Sequence, residues 1–395
     1  MKKVAFACMF SLCSLGQSLA QDAWVTVDND VLTQVRGSLD FPYEAVHSAQ
    51  GATLLKLDHQ KIENLANQIH DKLHRCGGFI AHDSYEEAFD SISYQGDMYF
   101  SKSASFLKYR INQQNAVHSM IPQLEEIKIR EMIIKLSSYK TRHHKSATGL
   151  ESTQYIHDEW KRLVAHRNDA KVELFTHKST PQPSVILTIQ GSESPSEILV
   201  MGGHADSLAG FFGGAFATAP GADDNASGIA TLTETLRVLM NNGFQPKKTI
   251  MFMAYAAEEA GLLGSREIAQ KFKQENKNVV GVIQFDMTLF KGTKDKDIVM
   301  MTDFTNTAQN EFLGQLIDEY VKVSWGYSRC GYGCSDHASW SNAGFPASMP
   351  FESNKGDMNG HIHSGRDTLQ NSGGDASHAL KFAKLGLAYL VELAN

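Results

Sequence analysis

The chain has 395 residues, a formal net charge of −7 and 42% hydrophobic residues, which is the composition of an ordinary globular protein. This acidic balance, without a block of basic residues, argues against nucleic acid as a partner. The length suits one domain of about 250–300 residues and a smaller one.

Residues 1–20 have the features of an export signal. Lys2 and Lys3 give a basic start, an apolar run of 12 residues covers 4–15, and 18–20 is a small-x-small cleavage site. The run is too short to cross a bilayer, which takes about 20 residues, and no later segment approaches that length without charges. We therefore expect a secreted protein that does not span a membrane. A signal of this type does not distinguish the periplasm from the extracellular space.

Residues 21–107 differ in character from the rest of the chain. They open with a possible strand over 23–28 and contain an amphipathic stretch over 58–74, but they lack the clusters of acids and histidines found later. One interpretation is an accessory domain. Another is a segment that covers the functional site of the remaining chain until it is removed.

From residue 117 onward, helical and strand periods alternate along the chain. The pattern predicts amphipathic helices over 124–139, 150–163, 225–242, 260–275, 310–321 and 376–393. It predicts strands over 185–189, 198–201, 249–256, 279–285, 298–302 and 347–351. Apolar strands without clean alternation, interleaved with helices, are typical of a mostly parallel sheet covered on both faces. We predict an α/β protein, a three-layer α/β/α fold preceded by a small N-terminal domain.

Two cysteines lie close together in the sequence CGYGC. Cys330 and Cys334 can close a small disulfide loop in an oxidising compartment. Unpaired thiols, or half of a metal site, are the alternatives, although no second pair of cysteines remains to complete a four-cysteine zinc site once Cys8 and Cys13 leave with the signal. We favour the disulfide, which leaves Cys76 to the separate N-terminal segment.

Acids and histidines follow the predicted strands directly. The acids and histidines that come after the predicted strands over 198–201, 249–256 and 279–285 are His204, Asp206, Glu258, Glu259 and Asp286. Functional sites in open α/β sheets form beyond the carboxyl ends of the strands, so we expect these side chains to meet. Asp224, in a turn before a predicted helix, and His363, in the loop after the last strand, can reach the same edge.

Taken singly, each of these residues has a structural explanation. A lone histidine after a strand is most often structural, a Glu-Glu pair is usually a solvated helix start, and an Asp-Asp pair is usually a helix cap. The apolar context changes this judgement, because Glu258 and Glu259 follow an almost entirely apolar strand and no Lys or Arg is adjacent to them. Buried carboxylates need partners, and metal cations are the simplest ones.

Five residues form a donor set that suits two zinc ions: His204, Asp224, Glu259, Asp286 and His363. Three carboxylates and one hydroxide would neutralise two dications. Two metal ions about 3.5–4 Å apart activate a bridging water and polarise a carbonyl, which supports a hydrolase. Glu258 is then the candidate general base, and Asp206 could hold His204 from behind.

Seven stretches, in this order, resemble the secreted bacterial leucyl-type aminopeptidases, a family of co-catalytic zinc exopeptidases. They are GGHADS (202–207), PGADDNASG (220–228), FMAYAAEEAGLLGS (252–265), QFDMT (284–288), CGYGCSDHASW (330–340), MPFES (349–353) and IHSGRDT (362–368). The resemblance covers about 111–395, and 21–107 also looks like the propeptide of that family, including RCGG at 75–78. It implies a signal peptide over 1–20, a propeptide over 21–107 and a catalytic domain over 108–395, separated by an activating protease that cuts near 105–108.

The resemblance also implies the roles of the site residues. Asp224 would bridge both zinc ions, in a cis peptide bond with Asn225. His204 and Asp286 would complete one metal site, and Glu259 and His363 the other. Glu258 would take a proton from the bridging water and pass it to the leaving amine.

Further residues are implied around the site. Ser335 would support the ligands from behind, and the Cys330–Cys334 loop would shape a pocket for the N-terminal side chain of the substrate. The pocket would be lined by Met287, Met301, Tyr332, Met349, Phe351 and Ile362. Lys355 and Met358 depart from the aromatic residues of close relatives. Either Lys355 lies in a solvated loop or the pocket is altered.

The predicted function is a secreted zinc aminopeptidase with two Zn²⁺ per chain. It would act as a monomer on peptides with a free N-terminus and release apolar residues such as Leu. A carboxypeptidase or a glutaminyl cyclase on the same scaffold is the alternative. A binding module without catalysis is disfavoured by the intact donor set.

Overall fold

The computed structural model describes residues 22–49, 51–73, 78–82, 84–93, 109–210 and 214–395. The predicted signal peptide, Cys76 and the predicted cleavage window at 105–108 lie outside these residues. Within the described part, no helix combines the length and the apolar character that crossing a membrane requires.

The described residues of 22–93, here called the N-terminal segment, form a four-stranded sheet with helices packed on it. In chain order the elements are β1 (Asp22–Asp28), α1 (Asn29–Val35), β2 (Tyr43–Ala49), β3 (Ala52–Asp58), α2 (Ile62–Leu73), β4 (Phe79–His82) and α3 (Tyr85–Ser93). The strand order is β2-β3-β1-β4, and every pairing is antiparallel. The predicted strand over 23–28 and the amphipathic stretch over 58–74 are confirmed as β1 and α2.

The remaining chain begins with three helices and three strands, after which helices and strands mostly alternate. The elements are α4 (Gln114–Met120), α5 (Glu126–Ser137), α6 (Ala147–Leu163), β5 (Ala170–Phe175), β6 (Ser184–Ile189), β7 (Ser194–His204), α7 (Gly228–Asn241), β8 (Lys248–Tyr255), α8 (Leu263–Gln274), β9 (Asn278–Gln284), β10 (Ile298–Met301), α9 (Thr307–Leu316), β11 (Trp325–Ser328), α10 (His337–Asn342), β12 (Ala347–Ser348), β13 (Pro350–Phe351) and α11 (Ser377–Ala394).

The central sheet has six strands in the order β12-β9-β7-β8-β6-β5. The first four strands are parallel, whereas β6 and β5 add antiparallel pairs at one edge. Successive residues of β7 enter two different cores: Leu199 and Met201 face the core that includes α7 and α11, and Val200 faces the core that includes α8. Both faces of the sheet are therefore covered, and the prediction of an α/β fold with a mostly parallel sheet is confirmed.

Two predicted strands belong to a second, three-stranded sheet in the order β11-β10-β13. The predicted strand over 347–351 divides at Met349, because β12 pairs with β9 while β13 pairs with β10. The sequence pattern predicts both strands, but not that 298–302 and the second half of 347–351 lie outside the central sheet. Met349 and Phe351 pack in one apolar cluster with Met287, in the loop after β9.

The helix predicted over 225–242 begins later than its sequence pattern suggests. Asp224 and Asn225 have non-helical backbone angles within an irregular turn, and α7 starts at Gly228. The helix predicted over 310–321 begins earlier, at Thr307, because the Asn306 side chain accepts a hydrogen bond from the Gln309 N–H and caps the helix.

Candidate metal centre

Three adjacent strands carry acidic and histidine residues to one edge of the central sheet. His204 ends β7 and pairs in register with Tyr255, the last residue of β8, and Gly202 pairs with Gln284, the last residue of β9. The loops beyond these ends hold Glu258, Glu259 and Asp286. Parallel pairing of β9, β7 and β8 thus brings together residues that are more than 80 positions apart in the chain.

The five predicted donors form two contacting groups that share Asp224. His204 Nε2 lies 3.0 Å from Asp224 Oδ1 and 3.3 Å from Asp286 Oδ1. His363 Nε2 lies 3.0 Å from Asp224 Oδ2 and 3.2 Å from Glu259 Oε2. All five side chains are buried. Each oxygen of Asp224 therefore faces a different histidine, which is the arrangement of a bridging carboxylate.

This donor set fits two zinc ions. Ligand atoms that bind one tetrahedral zinc at about 2.1 Å lie about 3.4 Å apart, close to the separations in each group. Neither carboxylate oxygen of the buried Glu258 has a hydrogen bond to the described residues. A buried carboxylate in that state is expected next to positive charge rather than in an apolar core.

Proton equilibria at the site reflect the crowding of acids and imidazoles. Burial opposes the charged form of His363, but the carboxylates of Glu259 and Asp224 outweigh it and raise the pKa of the imidazole to about 10. Burial raises the pKa of Glu259 to about 7, although His363 acts in the opposite direction. Protons on these groups neutralise the buried charges, and metal ions would replace them on binding.

Asp206 connects the histidine of one group to the two glutamates. Its Oδ1 lies 3.4 Å from His204 Nδ1. The same carboxylate accepts hydrogen bonds from the backbone N–H of Glu258 at 3.1 Å and of Glu259 at 3.3 Å. Asp206 can therefore orient His204 and fix the Glu-Glu turn together. The predicted contact with His204 is present, and the contacts to the glutamates are additional.

The turn that bears Asp224 is held by a second carboxylate. Asp367 accepts hydrogen bonds from the backbone N–H groups of Asp223 and Asp224, both at 3.0 Å. The peptide bond between Asp224 and Asn225 is cis, as predicted. The Asn225 side chain donates to the carbonyl oxygen of Phe285 at 2.9 Å, so the turn is joined to the loop after β9.

Ser335 lies behind the site rather than in contact with the five donors. It is fully buried, and its hydroxyl accepts a hydrogen bond from Gln284 Nε2 at 3.2 Å. The same amide nitrogen donates to Asp336 Oδ2 at 2.8 Å. Gln284 is the last residue of β9, so Ser335 supports the strand that carries Asp286.

The predicted pocket residues form one buried apolar cluster, whose members are Met287, Met301, Tyr332, Cys334, Met349, Phe351 and Ile362. The Cys330–Cys334 disulfide is present, with an S–S distance of 2.07 Å. Lys355 is half-buried, and its Nζ lies 5.3 Å from the Tyr332 ring centre and 3.1 Å from Met358 Sδ. This contact favours an altered pocket over a freely solvated Lys355.

Sequence reasoning missed three residues at the site: His70, Arg142 and Asp367. His70, from α2, lies 3.0 Å from His363, Nδ1 to Nδ1. The buried Arg142 donates to the carbonyl oxygens of Ala205 and Gly221. Asp367 lies within a stretch that resembles the aminopeptidases, which is a usable signal. No sequence pattern singles out His70 or Arg142, because their contacts depend on how distant segments pack.

Comparison with known proteins agrees with this geometry. The family model described as Peptidase family M28 matches residues 184–388. Leucine aminopeptidase 1 of Ajellomyces dermatitidis is 34% identical over 309 residues, which covers 75% of this chain and 79% of that protein.

Two solved structures from Legionella pneumophila are similar over most of the chain. The LapA aminopeptidase has a TM-score of 0.81 at 27% identity and covers 95% of this chain and 99% of that one. LapB has a TM-score of 0.79 at 30% identity, and the match covers 95% of this chain and 100% of that one. With 95% of the chain covered, the likeness extends into the N-terminal segment. The family model matches just over half of the residues, so the chain belongs to peptidase family M28, and the predicted class of enzyme, a zinc-dependent aminopeptidase, is confirmed.

Proposed function

We propose that this peptidase removes apolar N-terminal residues such as Leu from peptides, with two zinc ions at the site. One observation carries the proposal: the two oxygens of Asp224 lie 3.0 Å from the imidazoles of His204 and His363 respectively. His204 and Asp286 would hold one zinc ion, and Glu259 and His363 would hold the other, with Asp224 shared. The aminopeptidase relatives support the choice of substrate class.

Glu258 acts as the general base in this proposal. Bound zinc ions would lower the pKa of a shared water and polarise the scissile carbonyl. Burial, together with the nearby carboxylates of Glu259 and Asp286, raises the pKa of Glu258 well above its usual value. A carboxylate with a raised pKa can accept the proton of the attacking water and return it to the leaving amine. Asp206 keeps the backbone of Glu258 in place.

The apolar cluster around Tyr332 would receive the N-terminal side chain of the substrate. Met287 follows Asp286 directly and Ile362 precedes His363, so the cluster lies beside the proposed zinc ligands. Its sulfur-rich lining is adaptable and suits unbranched or branched aliphatic groups. This supports a preference for Leu or Met over charged residues.

We also propose that 21–107 is a propeptide, removed by another protease after export of a monomeric precursor to the periplasm or the medium. Helix α2 lies against the site, and a cavity of about 10 Å³ lined by Ala66, His144 and Glu259 remains there. That volume holds about one water molecule, and His70 of α2 lies 3.0 Å from His363, so the docked segment would exclude a peptide from this side of the site.

The test combines metal content with activity of the processed enzyme. We expect two zinc ions per chain and hydrolysis of a leucyl chromogenic amide, but not of its N-acetylated form. Glu258→Gln should keep both zinc ions and lose activity by at least about 100-fold, because the proton acceptor is gone.

Other results would contradict the proposal in distinct ways. Full activity of the Glu258→Gln variant would exclude Glu258 as the base. Shortening of N-blocked peptides from the C-terminus would indicate a carboxypeptidase, and cyclisation of an N-terminal glutamine would indicate a glutaminyl cyclase.

A further inference from the structure

A histidine of the N-terminal segment lies inside the candidate metal centre. His70 is 2% exposed and belongs to α2. Its Nδ1 is 3.0 Å from His363 Nδ1, and its Nε2 is 3.3 Å from the carbonyl oxygen of Glu259. It therefore contacts both residues that would complete the second zinc site.

The hydrogen bonds of His70 agree with one arrangement of protons. His363 presents Nε2 to Asp224 and Glu259, so metal binding through Nε2 leaves the imidazole proton on Nδ1. That N–H can donate to His70 Nδ1. The proton of a neutral His70 then resides on Nε2, which faces the carbonyl oxygen of Glu259 as an acceptor. Both N–H groups in this series of hydrogen bonds, that of His363 and that of His70, therefore meet an acceptor.

The contact of His70 with His363 parallels the contact of Asp206 with His204. Asp206 Oδ1 lies 3.4 Å from His204 Nδ1, the ring nitrogen that does not face the other donors. Histidine ligands of metals almost always donate their second N–H to such a partner, which fixes the tautomer and the ring orientation. For His363, the corresponding position is filled by His70, from nearly 300 residues earlier in the chain.

Helix α2 is anchored at its start and along one face, so His70 is held in place. Glu63, near its start, lies 3.5 Å from His143 Nε2 and also pairs with Lys145. Along the helix, Leu65 and Ile69 belong to an apolar core that also contains residues of the loop after β8, among them Ala260. The helix therefore docks as a rigid element on the loop that carries Glu259.

We propose that His70 is a positioning residue for the second zinc site, supplied by the N-terminal segment while that segment remains attached. It holds His363 in the tautomer that binds metal through Nε2 and anchors it to the backbone of Glu259. The segment then helps the site to retain zinc before processing, in addition to covering it. This inference rests on the proposed function, because it requires zinc at Glu259 and His363.

The experiment measures metal retention by the full, unprocessed chain. His70→Phe keeps a ring of similar shape but has no hydrogen-bonding atoms, whereas His70→Gln keeps one donor and one acceptor. After loading with zinc, the affinity of both sites is measured by competition with a chelator. We expect His70→Phe to lower the zinc affinity of the second site by about 10–100-fold and to leave the affinity of the first site unchanged. His70→Gln should restore part of the lost affinity.

Glu63→Gln is the matched control on the same helix. It removes the ion pairs with His143 and Lys145 but leaves the contacts of His70 unchanged. Zinc affinity close to that of the wild type in Glu63→Gln supports a specific role of His70. An equal loss of zinc affinity in His70→Phe and Glu63→Gln would show that zinc retention depends only on the docking of α2, and it would overturn the inference.

Two further outcomes separate this inference from the function on which it rests. If the wild type binds two zinc ions and His70→Phe retains both with unchanged affinity, only the role of His70 is wrong. If the wild type binds no zinc, the proposed function fails, and the role of His70 fails with it. Cobalt substitution gives an independent readout, because the visible spectrum of the second site should change only in the His70 variants.

Discussion

At the scale of single residues, the site depends on carboxylates that serve several partners. Asp206 contacts His204 and accepts two backbone N–H groups of the Glu-Glu turn. Its contact with His204 could be predicted, because the two residues lie two positions apart after a predicted strand. Its contacts with Glu258 and Glu259 could not, since they depend on the register between β7 and β8.

Lys355 places a positive charge at the edge of the proposed pocket. Its Nζ lies 5.3 Å from the centre of the Tyr332 ring, where an ammonium group attracts acidic substrate side chains. One such interaction is worth about 1 kcal/mol in water. We therefore expect Lys355→Met to shift the ratio of kcat/KM for leucyl over glutamyl substrates by about fivefold towards leucyl.

The control for this shift is Lys294→Met, which removes an exposed lysine of the loop between β9 and β10. It should leave the ratio unchanged. An unchanged ratio in Lys355→Met as well would mean that the ammonium does not reach the bound side chain and that the pocket is set by its apolar residues alone.

At the scale of elements, the order of strands determines which residues meet. Sequence patterns predict β7, β8 and β9 and the acids that follow them, because buried parallel strands have continuous apolar runs. They do not predict the antiparallel strand β5, whose residues alternate between exposed and half-buried, or the division of 347–351 between two sheets. Those features depend on pairing between segments that are distant in the chain.

Asn225 joins the turn before α7 to the loop after β9. Its side chain donates to the carbonyl oxygen of Phe285 and accepts from the N–H groups of Gly228 and Met287. Replacement by Ala leaves buried polar groups without partners, at about 1–3 kcal/mol each. We expect Asn225→Ala to lower the free energy of unfolding by about 3 kcal/mol or more, measured by denaturant titration.

Asn112→Ala provides the comparison, because Asn112 is exposed and its side chain bonds only to the neighbouring Gln113 among the described residues. It should change the free energy of unfolding by less than about 0.5 kcal/mol. A similarly small change in Asn225→Ala would show that water replaces the lost contacts.

At the scale of the whole molecule, the N-terminal segment and the rest of the chain share a core. Ala257 and Ala260, from the loop after β8, and Leu263, the first residue of α8, belong to the same apolar cluster as Val25 and Ile69. The composition of 21–107 indicates a separate segment, but nothing in it predicts where that segment docks. Docking depends on shape and on a few charges, which appear only in the folded protein.

The ion pairs of Glu63 make this docking sensitive to acid. Hydrogen bonding to His143, together with the hydrogen bond and charge of Lys145, lowers the pKa of Glu63 from 4.5 to about 2, against the opposing effect of burial. A carboxyl whose pKa is lowered by docking stabilises the docked form above pH 4.5, and this contribution is lost as the pH falls towards 2. Hydrogen exchange of α2 should therefore increase over that window.

Glu63→Gln should remove this part of the acid sensitivity, because glutamine does not titrate. If α2 in the variant still loses protection over the same window, other groups control its release. Thermal unfolding of both proteins at neutral pH would show how far the substitution alone changes stability.

The shared core also has a consequence for inhibitors. Ala260 and Leu263 pack against the N-terminal segment, and the proposed removal of that segment would expose both side chains. A compound shaped to the seam between α2 and this loop would recognise only the unprocessed chain and act before any substrate competes with it. Under the proposed processing, the chain with its N-terminal segment and the chain without it would therefore present two different surfaces to an inhibitor.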